Sequence, residues 1–95
     1  MTVYASCDLT IPYAYEANQA PYWRATAVLT DLDRAKEWAE GNYDSSRAYP
    51  SIVLALPDDA RPHSVPARIS LDAGKVVYRN RAAENSPHAS DLATL

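Results

Sequence analysis

The chain has 95 residues, of which 47% are apolar and 22% are charged, and it contains only two Gly. A chain of this size folds around one small core, which excludes a large multidomain enzyme. The apolar content is too high for intrinsic disorder. No apolar run approaches the roughly 20 residues that cross a bilayer, so we expect no membrane partner.

The charge balance and the cysteine content narrow the setting further. Twelve acidic residues against nine basic ones give a net charge of -3, the wrong sign for a protein that binds duplex nucleic acid through its phosphates. The start of the sequence lacks the basic and apolar segments of a secretory signal, and the single Cys7 cannot form an internal disulfide. We therefore expect a cytoplasmic protein that does not bind duplex nucleic acid directly.

Two alternating segments predict the first two strands. Apolar and polar side chains alternate through residues 2–13, and the alternation returns in residues 22–29. A period of two is typical of a strand with one buried face, and Cys7 falls on that face. Pro12 cannot donate to a sheet ladder, so it ends the first strand or lies at an edge.

The clearest local signal predicts a helix over residues 31–40. Thr30 can accept from the free amides of the first turn, while Asp31 and Asp33 suit the positive end of the helix dipole. Gly41 is predicted to end the helix, because Gly tolerates a positive φ just past the last turn. Apolar residues recur between these ends at helical spacing, at Leu32, Ala35, Trp38 and Ala39.

Three further strands follow the helix. Residues 51–56 form an apolar run without polar alternation, which is typical of a strand covered on both faces. Apolar side chains alternate again from Val65 to Leu71 and recur from Val76 to Tyr78. The intervening Asp-Ala-Gly sequence at residues 72–74 has the composition of a turn, so these two strands are predicted to form a hairpin.

The elements predict an α+β domain over residues 1–80, with a mostly antiparallel sheet of about five strands and one main helix in the order β-β-α-β-β-β. Residues 81–95 form a polar tail that is loosely ordered or a short helix beginning at Ser86-Pro87. One helix about 10 Å across covers half of a sheet about 20 Å wide. The other apolar face must be covered by sheet curvature, by the tail or by another chain, which favours a homodimer or a partner bound there or at a sheet edge.

Residues suited to catalysis are few. His63 and His88 lie in Pro-containing segments without a carboxylate at motif spacing, and Cys7 lies on a buried strand face. One Cys and two separated His do not make a zinc site, and neither Gly belongs to a phosphate-binding loop. We therefore expect no cofactor, no metal and no catalytic residue, with a small enzyme using His63 as the least favoured alternative.

Part of the sequence resembles a known family. Residues 27–38, AVLTDLDRAKEW, resemble the strand-to-helix opening of glyoxalase or vicinal-oxygen-chelate modules, and residues 52–58, IVLALPD, resemble a later strand of that fold. The family carries metal ligands such as His and Glu on its barrel strands, whereas the first strand here has no His. The resemblance therefore implies a degenerate, metal-free module that binds a small ligand in a homodimer.

Two surface features indicate a binding role. Four carboxylates, which we call the acidic strip, recur at helical intervals if the helix continues past Gly41: Asp33, Glu37, Glu40 and Asp44. They form either a solvated helix face or a surface aimed at a basic partner. Tyrosines cluster in the first connection and pack at the core edge or contact a partner, with Tyr13, Tyr15 and Tyr22 as the candidates.

The leading hypothesis is a non-enzymatic protein-interaction module of bacterial or phage type. It would inhibit a basic, nucleic-acid-handling protein through the acidic strip and the tyrosines, by analogy in size and acidity with anti-CRISPR and toxin-immunity proteins. The alternative is the homodimeric α+β domain with a small-ligand pocket, for which the candidate lining residues are Trp23, Trp38 and Tyr78.

Overall fold

A single antiparallel sheet organises the chain. The computed structural model describes residues 1–10, 22–41 and 50–85. Its elements in chain order are β1 (Thr2–Thr10), β2 (Tyr22–Leu29), α1 (Leu32–Glu40), β3 (Ser51–Pro57), β4 (Ala67–Ile69), β5 (Lys75–Arg79) and α2 (Arg81–Asn85), with 3-10 turns at Asp58–Ala60 and Leu71–Ala73. The five strands lie in the order β4-β2-β1-β3-β5. The α+β fold class expected from the sequence is confirmed.

A bulge interrupts the pairing of β1 with β2. Ser6 lies opposite Ala27 and Cys7 opposite Ala25, so Thr26 is the extra residue. The Thr26 hydroxyl donates to the backbone carbonyl of Ser6 at 3.2 Å, which fixes the bulge. The Ser6 hydroxyl is fully buried and has no hydrogen-bond partner among the described residues.

The N-cap of helix α1 lies one residue later in the sequence than predicted, and the helix begins at Leu32 instead of residue 31. Asp31, not Thr30, is the N-cap: its backbone is extended and its carboxylate accepts from the Asp33 amide at 2.9 Å. The two residue types cap almost equally well, so composition did not separate them. Gly41 ends the helix as expected, but its φ of -61° is right-handed, so a positive φ is not the reason.

The sheet has two faces, of which α1 covers the one we call the helix face, carrying Tyr4, Ser6 and Val53. The buried Ala35 and Ala39 pack there against Val53, because their small side chains let the helix approach the sheet closely.

The opposite face, which we call the far face, holds the larger part of the core. Leu71 and Ala83 pack against it from outside the strands. Of the three covers that the sequence leaves open, the tail contributes here through Ala83, and the connection before β5 contributes Leu71. These far-face residues are completely buried within the chain: Val3, Ala5, Cys7, Ile52, Leu54 and Leu56.

The predicted hairpin is wrong. β4 pairs with β2 at one edge of the sheet, whereas β5 pairs with β3 at the other edge. The connecting segment instead runs across the far face, where Leu71 is buried in the core. Gly74 then passes so close to β3 that a Cβ atom there would lie 2.1 Å from the Ala55 carbonyl oxygen. Burial of Leu71 therefore outweighs the local turn composition.

The end of β5 leads directly into α2. Asn80 precedes this helix, and its side-chain oxygen accepts from the Ala83 amide at 2.8 Å, as an N-cap does. Ala82 and Ala83 are buried. The tail defined from the sequence thus begins with a helix at Arg81–Asn85, while the helix proposed from Ser86 onward lies outside the described residues.

Candidate functional site

The acidic strip lies on the outer side of α1 as far as the structure describes it. Asp33, Glu37 and Glu40 are all exposed, because they lie opposite the buried Ala35 and Ala39. Neither Asp33 nor Glu37 forms an ion pair with any residue in the described ranges. The remaining candidates of the predicted interface, Tyr13, Tyr15 and Asp44, lie outside the described residues.

Glu40 differs from the other two carboxylates because it has a partner within the chain. The hydroxyl of Tyr78 on β5 donates to a Glu40 carboxylate oxygen. The ammonium group of Lys36 lies 5.6 Å from the centre of the same Tyr78 ring, within the range of a cation–π contact. Glu40 therefore helps to fix α1 on the sheet, whereas Asp33 and Glu37 are free to meet another molecule.

Trp38 is the largest apolar side chain exposed on α1. Its relative exposure is 51%, while its indole N–H donates to the Thr26 hydroxyl at 3.1 Å. That hydrogen bond satisfies the polar atom and holds the ring at the side of the helix that faces β2. An exposed aromatic ring of fixed orientation loses little entropy when a partner covers it.

An open groove of about 750 Å³ runs beside the Trp38 ring. We call it the helix groove, and its described lining residues are Leu29, Arg34, Glu37, Trp38 and Gly41. It thus combines an apolar wall with both signs of charge. The candidate lining residues of the alternative ligand pocket do not share one face, because Trp23 is buried on the far face whereas Tyr78 packs beneath α1 on the helix face.

A second polar cluster lies on the helix face near the start of β2. We call it the arginine patch, and it consists of Asp8, Tyr22, Arg24 and Arg68. Arg24 donates to both carboxylate oxygens of Asp8, from Nε at 3.3 Å and from Nη2 at 3.1 Å. The Arg68 guanidinium carbon lies 3.9 Å from the centre of the Tyr22 ring. Tyr22, a predicted contact residue, therefore belongs to this cluster and is packed against an arginine of β4.

Asp8 stabilises the charged form of Arg24. Its hydrogen bonds first, and its negative charge second, raise the pKa of Arg24 above its ordinary value. The Thr10 hydroxyl also lies within hydrogen-bond distance of the Asp8 carboxylate, at 3.5 Å. The two hydrogen bonds also hold the Arg24 guanidinium in one orientation.

The arginine patch is not apparent from the sequence, because its members come from three strands. Arg24 and Asp8 do share the polar side of two alternating strands, which was a usable signal. Arg68 is brought opposite Arg24 only by the pairing of β4 with β2, and the predicted hairpin had placed that strand elsewhere.

The candidate nucleophile and base lie apart from both clusters. Cys7 is fully buried in the far-face core, and burial first, then the charge of Asp8, raises the pKa of its thiol to about 12. His63 is exposed in the segment after the Asp58–Ala60 turn, and His88 lies outside the described residues. In residues 1–10, 22–41 and 50–85, no three His, Cys, Asp or Glu side chains are placed to hold a metal ion.

No helix within the described ranges combines the length and the apolar character needed to cross a bilayer. No protein-family model matches the chain, and searches of curated proteins and of solved structures find no match either.

Proposed function

We propose that the chain is a non-enzymatic interaction module that binds a basic surface of another protein through α1. The observation that carries this proposal is the placement of the exposed Trp38 ring beside Glu37 in the helix groove. Trp is among the residues that contribute most to protein interfaces, and the Glu37 carboxylate beside it favours a cationic group of a partner, although Arg34 also lines the groove.

The chemistry of this surface fits arginine and lysine side chains of a partner. An Arg that stacks on the Trp38 ring can reach the Glu37 carboxylate with its N–H donors, which combines a cation–π contact with a charge-assisted hydrogen bond. Asp33 adds a second carboxylate one helical turn away. Because neither carboxylate has an ion pair in the described part of the chain, binding breaks no internal salt bridge.

The partner class follows from the same charges. Proteins that handle nucleic acid carry basic surfaces that bind phosphates, and a row of carboxylates on a rigid helix competes for those surfaces. We therefore propose an inhibitor of a nucleic-acid-handling bacterial protein, comparable in kind with anti-CRISPR and toxin-immunity proteins.

Charge reversal tests the proposal. The purified chain is used to capture its partner from a lysate of the organism that encodes it, and the affinity for that partner is then measured by calorimetry. We expect Asp33→Lys with Glu37→Lys, and separately Trp38→Ala, to weaken binding by about tenfold to hundredfold. The matched control is Asp59→Lys with Asp72→Lys, which changes the charge equally at exposed sites outside α1 and should retain binding.

Two results contradict the proposal. A partner bound equally well by the α1 variants and by the control would remove α1 from the interface. A native mass spectrum that shows only a homodimer carrying a retained small molecule would favour the ligand-binding alternative.

A further inference from the structure

The arginine patch contains an unfavourable charge arrangement. Arg24 and Arg68 are direct partners across the β2–β4 pair, so their side chains leave the same face of the sheet with Cβ atoms about 5 Å apart. Like charges directly opposite each other destabilise a sheet. A neutral residue at either position would avoid this repulsion, yet the chain has an arginine at both.

Asp8 compensates for only one of these charges. Its two carboxylate oxygens accept from Nε and Nη2 of Arg24, along one edge of that guanidinium. The other edge, at Nη1, has no acceptor among the described residues. Two arginines and one aspartate leave a local charge of +1 in a chain whose net charge is -3. The arginine patch is therefore a locally cationic site that an anion can neutralise.

Arg68 is held flat and keeps its donors free. Stacking on Tyr22 uses the face of the guanidinium and leaves its N–H groups in the plane pointing outward. Arg68 is exposed, and nothing in the described residues accepts a hydrogen bond from it. Both arginines are therefore oriented before any ligand arrives, which lowers the entropy lost on binding.

A groove of about 320 Å³ begins at Arg68 and Tyr22. Its other lining residues are Trp23, Ile69, Ser70, Leu71 and Asp72, of which Trp23, Ile69 and Leu71 belong to the far face, whereas Arg24 does not line it. This volume lies at the lower end of the range for small-molecule sites, which is roughly 300–1,000 Å³. The groove therefore adjoins the arginine patch only at Tyr22 and Arg68, and a ligand that contacts both must pass the edge of the sheet at β4.

We propose that the arginine patch binds the phosphate group of a small phosphomonoester, with Arg24 and Arg68 donating to different oxygens and the rest of the molecule extending past Tyr22 toward the edge of the sheet at β4, where the groove begins. A phosphate suits this pair of arginines better than a carboxylate does. One guanidinium group can occupy both oxygens of a carboxylate with two parallel N–H donors, which leaves no oxygen for the second arginine. A phosphomonoester has three acceptor oxygens and serves two guanidinium groups at once. This site is separate from the interaction surface on α1, so the two proposals stand independently.

NMR titration of the full chain tests the proposal, with adenosine monophosphate, inorganic phosphate, adenosine and acetate as probes at matched ionic strength. We expect adenosine monophosphate and inorganic phosphate to shift the amide resonances of residues 22–24 and 67–72 at millimolar concentration, with tighter binding of the nucleotide. Adenosine and acetate should shift these resonances weakly or not at all. Arg68→Gln should weaken nucleotide binding by about tenfold or more, the loss expected for a charge-assisted bidentate contact.

Arg79→Gln is the matched control, because Arg79 is an exposed arginine on β5 at the opposite edge of the sheet. It should bind the nucleotide within a factor of about two of wild type, since salt screening removes most distant charge effects. An equal loss in both variants would show a nonspecific charge effect and overturn the site. Equal binding of acetate and phosphate, or tighter binding of a single-stranded oligonucleotide than of the mononucleotide, would overturn the small phosphomonoester as its ligand.

Discussion

The side-chain amide of Asn80 donates a hydrogen bond of 3.2 Å to the backbone carbonyl of Ala39, which joins the last turn of α1 to the end of β5. The oxygen of the same side chain accepts from the backbone amides of Ser51, at 3.1 Å, and Ala83, at 2.8 Å. One fully buried side chain therefore connects both helices with two strands. It also donates to one of the carbonyls in the last turn of α1, where the helix itself supplies few donors.

Replacement of Asn80 by Ala should lower the free energy of unfolding by about 3 kcal/mol, because it removes three hydrogen bonds that this buried side chain makes to the backbone of three segments. Urea denaturation of the full chain measures the change. Ser64→Ala, at an exposed position, is the control and should stay within about 0.5 kcal/mol of wild type. An equal effect of both substitutions would contradict the role of Asn80 as a buried connector.

Gly74→Ala should destabilise the fold by about 2 kcal/mol or more, since the added Cβ atom would lie 2.1 Å from the Ala55 carbonyl oxygen and 2.7 Å from the Leu56 side chain. Gly41→Ala is the matched control. Its Cβ would meet nothing closer than 3.3 Å, and its backbone is right-handed, so a change of less than about 1 kcal/mol is expected. Thermal unfolding followed by circular dichroism compares the two variants. A well-folded Gly74→Ala chain of wild-type stability would show that the connection does not press on β3.

Ser6→Ala should raise the stability by about 1 kcal/mol, which is the opposite of the usual effect of a core substitution. The Ser6 hydroxyl is buried without a hydrogen-bond partner in the described residues, so its removal relieves a desolvation penalty and leaves only a small void. Urea denaturation midpoints of the two proteins provide the measurement. A loss of stability would mean that the hydroxyl makes a favourable contact in solution.

The buried thiol predicts a decrease of stability in alkali. The unfolded thiol loses its proton near its ordinary pKa of 9.0, whereas the folded thiol keeps it up to a pKa of about 12. Between these values the unfolded state binds fewer protons, so stability is complete below pH 9 and falls as the pH rises toward 12.

Cys7→Ala isolates this effect from the titration of Tyr and Lys residues. The variant loses packing at every pH, but its stability should fall less than that of wild type between about pH 8 and pH 10.5. Urea denaturation at both pH values measures how much stability each protein loses between them. Parallel losses in the two proteins would contradict a raised thiol pKa.

Asp8, Arg24 and Arg68 should show coupled effects on stability. Arg68→Gln removes the same stacking contact with Tyr22 in any background, but the repulsion that it relieves depends on Asp8. We expect Arg68→Gln to be more favourable by about 0.5 kcal/mol in an Asp8→Asn background than in wild type. A double-mutant cycle by urea denaturation measures this difference. Strict additivity would show that the two guanidinium groups do not sense each other.

Local patterns explain which parts of the fold were predicted. The alternation in residues 22–29 gave β2 its observed bounds, and the helical period placed Asp33 and Glu37 on an exposed face. Both features depend on neighbours within a few residues. The helical period of 3.6 residues is therefore enough to place these two carboxylates on the exposed side of α1 without knowledge of tertiary contacts.

Distant contacts explain the failures. The Asp-Ala-Gly sequence before β5 has the composition of a turn, yet burial of Leu71 on the far face decides the path of the chain. The sequence places Asn80 at the end of the α+β domain and predicts no helix directly after it, although Asn is among the residues preferred at an N-cap. The Arg24–Arg68 pair depends on strand order, which no local pattern contains.

The central position of β1 has a consequence for the order in which the chain folds during synthesis. β1 pairs with β2 on one side and with β3 on the other, so its second edge stays unpaired until Ser51–Pro57 has left the ribosome. An incomplete chain that ends before β3 thus presents an open strand edge, the kind of surface at which nascent proteins aggregate. Because β4 and β5 follow the other three strands in the sequence and pair at opposite edges, each later strand can add to the sheet outside the strands that precede it.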